Sequence, residues 1–301
     1  MKLVIFPDLK LVNVEIIVSL YNMTNIQRLQ NAYSDAKIQN VNTDIYSIRV
    51  NSFYSLFPKM KLRLISEIIK CFIEGLNASK CYDKLKNLIN AEVSSVGVKN
   101  VYSAIRNIIT KYYNILYQSE LLGDKDKNGV YSIDESLFVT DANNNQIWAI
   151  GAVDNISKDF RVDIAFKRDE SILKKFIITH IESGNKIITD GWAGYSFIDQ
   201  LQGYTREVHI HGAADFGYGI NSTSHIESIW SQLKAVIKSI YYIIPHQNFL
   251  FYLRDAEWRI KNKTKNLEEK IKEFFACWTL TYNMDPSDFI SDNYLNELLD
   301  D

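Results

Sequence analysis

The spacing of apolar residues changes along the chain near residue 122. Before that point apolar positions recur every three or four residues, as in Leu62–Phe72, which predicts amphipathic helices. Further helices are predicted around Ser79–Leu88 and Val98–Ile109. A short helix, a polar turn and a longer helix with basic residues form the plan of a helix-turn-helix, here over about 62–118. Ordinary packing of three helices produces the same pattern, so both interpretations stay open.

Beyond a polar, glycine-containing linker at 123–129, the period shortens to that of β-strands. The predicted order is three strands, a helix, a strand, a short helix, a strand and three longer helices. The predicted strands are Val130–Val139, Gln146–Val153, Phe160–Phe166, Lys186–Thr189 and Thr205–His211; the predicted helices are Asp169–Ile181, Tyr195–Leu201, Ser224–Ile240, His246–Lys263 and Leu267–Tyr282. This order is typical of a ribonuclease H-like α/β domain, with a mixed sheet flanked by helices. The sequence therefore predicts such a domain at 130–282, after an all-helical region at 1–122 and before an acidic tail at 283–301.

Composition narrows the class of protein only a little. Of the 301 residues 47% are hydrophobic, enough for one large domain or two smaller ones. No apolar run is long enough to span a membrane, and the three cysteines fit neither a disulfide framework nor a zinc site. We therefore expect an intracellular protein, in the nucleus of a eukaryote or the cytoplasm of a bacterium. A net charge of −2 argues mildly against nucleic-acid binding, unless the acidic residues are segregated from a basic face.

Three carboxylates occupy positions where α/β domains place functional groups. Asp134 lies inside the first predicted strand, where an unpaired charge is costly, and Asp190 ends a strand just before Gly191. Glu227 lies in the first turn of the long helix. Carboxylate oxygens favour Mg²⁺ or Mn²⁺, and a pair of such ions can promote displacement at phosphorus. Simpler roles remain open: Asp134 could face solvent, Asp190 could open a turn, and Glu227 could close a capping box with Ser224.

Two further patterns suggest other metals. Residues 124–135 match the calcium-binding loop of an EF-hand and compete with the first interpretation for Asp134 and Glu135. An EF-hand requires a helix after Glu135, whereas the residues that follow are typical of strands. His209 and His211 alternate on a predicted strand, but no third soft ligand lies nearby in the sequence, so we expect them at a surface or at the rim of a site.

Four segments together carry a family resemblance. They are Ser132-Ile133-Asp134-Glu135-Ser136, Thr189-Asp190-Gly191 with Tyr195, Ile226-Glu227 with Trp230-Ser231 and Lys234, and Tyr252-Leu253 with Trp258-Arg259. In this order they resemble the DDE transposases of the Merlin family and the related bacterial insertion-sequence transposases with an ISXO-like domain. The resemblance implies Asp134, Asp190 and Glu227 as the catalytic, metal-binding triad, with two divalent ions, Mg²⁺ or Mn²⁺. It also implies that Lys234 lies near the site.

The resemblance further implies an activity and its partners. A transposase of this kind cleaves the ends of a mobile element and transfers them into target DNA. Its partners would be the terminal inverted repeats of the element and the target DNA. Because the two ends of the element must be brought together, a homo-oligomer is expected. Besides Lys234, the candidate DNA contacts are Lys99 and Arg106 in the helical region and Arg259 and Lys261 in a basic run. Each of these cations could instead form an ion pair or a solvated helix face.

The sequence also departs from the family. The zinc ribbon with which many relatives begin is missing, and Ser224 stands where some relatives have an asparagine or histidine ligand. Asp255 and Lys261 occupy the positions of a glutamate and an asparagine in the bacterial pattern. These departures leave open a second hypothesis, a domesticated descendant that binds DNA but no longer cuts it.

Overall fold

The computed structural model describes residues 52–88, 92–122, 129–140, 146–165, 167–209, 222–241, 244 and 246–281. Most of the predicted linker at 123–129 and the whole predicted tail at 283–301 lie outside these residues. The described chain forms two compact units. One contains the residues up to Ile105 together with Lys265–Thr281, and the other contains Arg106–Thr264.

The first unit is helical, as the apolar spacing predicts. Its elements are a 3₁₀-helix at Phe53–Leu56, α1 at Leu62–Ile73, α2 at Ala78–Leu88, the first part of α3 (Ser95–Ser119) and α7 at Leu267–Thr281. Aromatic edge-to-face contacts join them: Phe53 to Phe274 at 5.3 Å and Phe72 to Tyr102 at 5.1 Å between ring centroids. The domain boundaries drawn from the sequence, at 122 and 282, both differ from this division. No helix breaker marks the change of unit inside α3, and α7 packs against α1.

A five-stranded mixed sheet forms the centre of the second unit. The strands are β1 (Val130–Thr140), β2 (Gln146–Asp154), β3 (Phe160–Ala165), β4 (Lys186–Thr189) and β5 (Thr205–Val208), in the spatial order β3-β2-β1-β4-β5. The first three strands are antiparallel, whereas β4 pairs parallel with β1 and β5 pairs parallel with β4. This is a ribonuclease H-like sheet, and it confirms the predicted fold class.

Helices cover both faces of this sheet. Helices α5 (Ser224–Ile240) and α6 (Phe249–Lys261) pack on one face, and α4 (Glu170–His180) with a 3₁₀-helix at Ala193–Gln200 packs on the other. Side chains alternate between the faces of a strand, so Asp134 lies on the α5 face of β1 and Glu135 on the α4 face. The predicted helix from 246 begins as a 3₁₀-helix at His246–Asn248, and β5 ends at Val208, three residues before its predicted end.

Candidate active site

The pairing of β1 with β4 brings two of the predicted site residues together. Val130 is opposite Lys186 and Ser132 is opposite Ile188, an offset of 56 residues. Continued by two residues, the same register places Asp134 beside Asp190, and parallel partners point to the same face of a sheet. The loop after β4 fixes the second carboxylate, since the Trp192 backbone N–H donates to Oδ1 of Asp190 at 3.0 Å.

Strand β5 leads to a histidine that follows the two aspartates in the register of the sheet. Thr189 is opposite Val208, so the next pair in the register is Asp190 and His209, and the His209 N–H donates to the Thr189 carbonyl at 2.9 Å. The His209 ring nitrogen Nε2 lies 3.0 Å from Oε1 of Glu207. Residue spacing alone predicted a position for His209 at a surface or at the rim of a site. The strand order places it in line with the two aspartates, while Ile210 and His211 lie outside the described residues.

Helix α5 carries the third predicted residue. Glu227 is exposed in the first turn, and α5 packs across β1 and β2. Ser224 is the first residue of the helix rather than its cap, and its N–H donates to Ser222 Oγ at 3.1 Å. The predicted capping box, in which Glu227 would accept that N–H, is therefore not the arrangement observed.

The electrostatics of β1 are unfavourable to negative charge. Burial raises the pKa of Asp134 to about 6, against hydrogen bonds from the Glu135 backbone and the Trp230 indole, which lower it. The neighbouring charges of Glu135 and Asp190 raise it further. Burial also raises the pKa of Glu135. A cation beside Asp134 and Asp190 would remove this cost.

The donor set suits a hard divalent cation. Asp134 and Asp190 are close enough for the charge of one to act on the pKa of the other. Their carboxylate oxygens would suit Mg²⁺ or Mn²⁺ better than a metal that prefers sulfur or nitrogen. In the described part of the chain, no three His, Cys, Asp or Glu side chains are grouped closely enough to hold a metal ion. The role of Glu227 as a third ligand therefore remains a prediction.

The Glu135 side chain lies on the opposite face of the sheet from Asp134. Its Oε2 accepts a hydrogen bond from the Tyr195 hydroxyl, and its Oε1 lies 3.4 Å from Nε of Arg168. β1 continues to Thr140, where an EF-hand requires a helix. Both observations contradict the calcium-loop interpretation of 124–135 for its described part, which begins at Gly129.

Three of the predicted DNA contacts lie inside the protein. The guanidinium carbon of Arg106 lies 4.5 Å from the centroid of the Tyr252 ring, and its Nε lies 3.7 Å from Oδ2 of Asp255. Oδ1 of the same Asp255 pairs with Nε of Arg259 at 2.8 Å. Lys261 pairs with Asp159 at 2.9 Å. The side chains of Arg106 and Arg259 are each only 10% exposed and that of Lys261 19%, which contradicts a phosphate-contacting edge at these positions.

The remaining two predicted contacts, Lys99 on α3 and Lys234 on α5, are exposed. Lys234 Nζ lies 5.3 Å from the centroid of the Phe138 ring, and that ring contacts Trp230 edge-on. Lys234 follows Glu227 by two helical turns, so both flank Trp230 on α5.

Fold and site together define a ribonuclease H-like domain with one acidic residue in β1 and another just after β4. Residues 126–261, somewhat under half of the chain, match the family of ISXO2-like transposase domains, and this match confirms the family resemblance. A search of curated proteins found no match. In the described part of the chain, no helix is both long and apolar enough to cross a membrane.

Solved structures of viral integrases show a distant likeness. The simian T-cell lymphotropic virus intasome in complex with PP2A regulatory subunit B56 gamma aligns at 13% identity and a TM-score of 0.33, over 64% of this chain and 68% of that one. The magnesium-bound HTLV-2 integrase catalytic core domain aligns at 13% identity in its dimeric form (TM-score 0.28, 43% of this chain, 82% of that one). Its trimeric form aligns at 13% identity (TM-score 0.26, 52% and 89%). At such scores the likeness carries no functional conclusion.

Proposed function

We propose that this protein is a DNA transposase that cuts the ends of a mobile element and joins them to target DNA in a metal-dependent reaction. The observation that carries the proposal is the β1–β4 register, which, extended by two residues, brings Asp134 beside Asp190 within the segment that matches the transposase family. Adjoining carboxylates on central strands are costly unless a cation compensates them.

Asp134 and Asp190 would hold one divalent ion, and Asp134 and Glu227 a second. Two such ions, Mg²⁺ or Mn²⁺, would stabilise the attacking and leaving oxygens of an in-line displacement at phosphorus. Lys234, exposed on the same side of α5 as Glu227, would hold a backbone phosphate of the DNA beside the reacting one. The freed 3′-hydroxyl would then occupy the position of the attacking group for strand transfer.

The helical unit would recognise the element's terminal inverted repeats. Helices α1, α2 and α3 keep the order of a helix-turn-helix, and exposed Lys99 lies in the first turns of α3. Two DNA ends must be cut and joined together, so we expect at least two copies of the chain on the DNA. We also expect it to act inside the cell, where its DNA substrates are.

Nicking of supercoiled plasmid by the purified full chain tests the proposal. Wild type, Asp190→Asn and the control Asp199→Asn are compared in Mn²⁺, Mg²⁺, Ca²⁺ and EDTA. Asp199 is a suitable control because its side chain is 59% exposed and it belongs to the 3₁₀-helix that packs on the opposite face of the sheet from Asp134. We expect wild type and Asp199→Asn to nick in Mn²⁺ or Mg²⁺ only, and Asp190→Asn to lose the activity.

Two outcomes would contradict the proposal. Nicking that survives Asp190→Asn would show that the cutting centre lies elsewhere. DNA binding without nicking in any metal would favour the inactive, DNA-binding descendant.

A further inference from the structure

The indole of Trp230 contacts a proposed metal ligand directly. Its Nε1–H donates to Oδ2 of Asp134 at 2.9 Å, although the two residues lie on different elements. The ring is nearly enclosed, with Trp230 only 5% exposed, and it meets the Phe138 ring edge-on at a centroid distance of 5.9 Å. A buried donor that points at a carboxylate limits how that carboxylate can rotate.

A glycine on the neighbouring strand makes room for this contact. Gly151 is the partner of Asp134 across the β1–β2 ladder. A Cβ atom at position 151 would lie 2.5 Å from Cη2 and 2.9 Å from Cζ2 of Trp230, closer than real contacts allow. Only glycine therefore lets the indole lie against β2 and still reach Asp134.

The start of α5 has a second attachment to the same strand. Ser132 Oγ donates to the Ser222 carbonyl at 2.9 Å, and buried Asn155 contacts the same two groups at 2.8 and 3.3 Å. Ser222 lies just before α5 and Trp230 lies two turns into it. Glu227 lies between these two attachments, so both fix the position of its helical turn relative to β1.

We propose that Trp230 is a positioning residue for the metal site. Its N–H orients the Asp134 carboxylate, and the same bond ties the segment of α5 that carries Glu227 to β1. This inference rests on the proposed function, because it assigns Asp134 and Glu227 to the metal. Outer partners of metal ligands typically change metal affinity about 10- to 100-fold when they are removed.

Direct measurement of Mn²⁺ binding tests this role without relying on catalysis. The full chain is titrated with Mn²⁺, and free ion is measured by electron paramagnetic resonance. Trp230→Phe removes the N–H and keeps an aromatic ring in the core. Trp258→Phe is the matched control, since Trp258 is 2% exposed and its Nε1 has no hydrogen-bond partner among the described residues. We expect the Kd for Mn²⁺ to rise about 10- to 100-fold in Trp230→Phe and less than about twofold in Trp258→Phe.

Gly151→Ala provides an independent test if Trp230→Phe fails to fold. It displaces the indole without deleting its N–H, and we expect weaker Mn²⁺ binding in the same direction. Wild-type affinity in a folded Trp230→Phe would overturn the positioning role and leave the proposed function standing. An equal loss in Trp258→Phe would also overturn it, because general loosening of the core would then explain both. A wild type that binds no Mn²⁺ would overturn the proposed function together with this inference.

Discussion

Replacing Asp134 by asparagine should stabilise the metal-free protein at neutral and alkaline pH. Burial raises the pKa of this carboxyl from 3.8 to about 6. One pKa unit corresponds to about 1.4 kcal/mol, so the ionised carboxylate costs the folded state about 3 kcal/mol. Part of this cost is relieved because the side chain is not fully enclosed, and asparagine keeps an oxygen for the Trp230 N–H. We therefore expect a gain of about 1–3 kcal/mol in the free energy of unfolding.

The sign of the pH dependence follows from the raised pKa. The folded state binds the extra proton between pH 3.8 and about 6, so the penalty is complete above about 6 and disappears below 3.8. The gain in unfolding free energy of Asp134→Asn over wild type should therefore be present at pH 8 and absent near pH 3.8.

Urea unfolding in EDTA, followed by circular dichroism, measures this gain. Slower hydrogen exchange of the β1 and β2 amides in Asp134→Asn than in wild type would assign this gain in stability to the second unit. Asp199→Asn, whose side chain is 59% exposed and which keeps an oxygen for Arg206, should change stability by less than about 1 kcal/mol at both pH values. An Asp134→Asn protein that is less stable than wild type at pH 8, or a difference that does not change with pH, would refute the reasoning.

Three other substitutions have distinct expected outcomes. Asp255→Ala should cost about 3–5 kcal/mol of unfolding free energy in thermal or urea unfolding, because it removes the fully buried carboxylate that pairs with Arg259 and lies near Arg106; a cost below about 1 kcal/mol would contradict this. Tyr195→Phe removes the hydroxyl that donates to buried Glu135 and should cost about 1–3 kcal/mol in the same assay, whereas unchanged stability would show that the bond contributes nothing. Lys234→Gln should reduce the slope of log DNA affinity against log salt by about 1, and an unchanged slope would exclude a phosphate contact there.

Apolar spacing predicted the elements well because helices and strands bury one face at a fixed period. The bounds of β4 and α5 agree with the predicted ones, and the strand order of the sheet confirms the ribonuclease H-like fold. The same spacing could not tell which core an amphipathic helix joins. Helix α7, predicted as part of the catalytic domain, packs in the first unit through Phe274.

Local sequence also predicted the positions of Asp134 and Asp190, since a charge within a strand or at its end is noticeable without a structure. The contacts around them depend on register, which the sequence does not reveal. His209 lies in line with the two aspartates only because β5 pairs with β4, and Trp230 reaches Asp134 only across Gly151. For Arg106, helical spacing could not distinguish a solvated cation from one that stacks on tyrosine beside a buried carboxylate.

Buried charged groups in the second unit have two kinds of surroundings, partners of opposite charge or neighbours of the same charge. On α6, buried Arg254 has anionic partners on both sides, Glu257 at 3.0 Å and Asp163 at 3.4 Å, and such pairs are part of the structure itself. At Asp134 the hydrogen bonds come from neutral groups, and the nearby charges that shift its pKa are negative. Among the described residues, the fold pairs charge on α6 but places the negative charges of Glu135 and Asp190 near Asp134. A divalent cation would offset these negative charges, which is the electrostatic reason to propose a metal at this site.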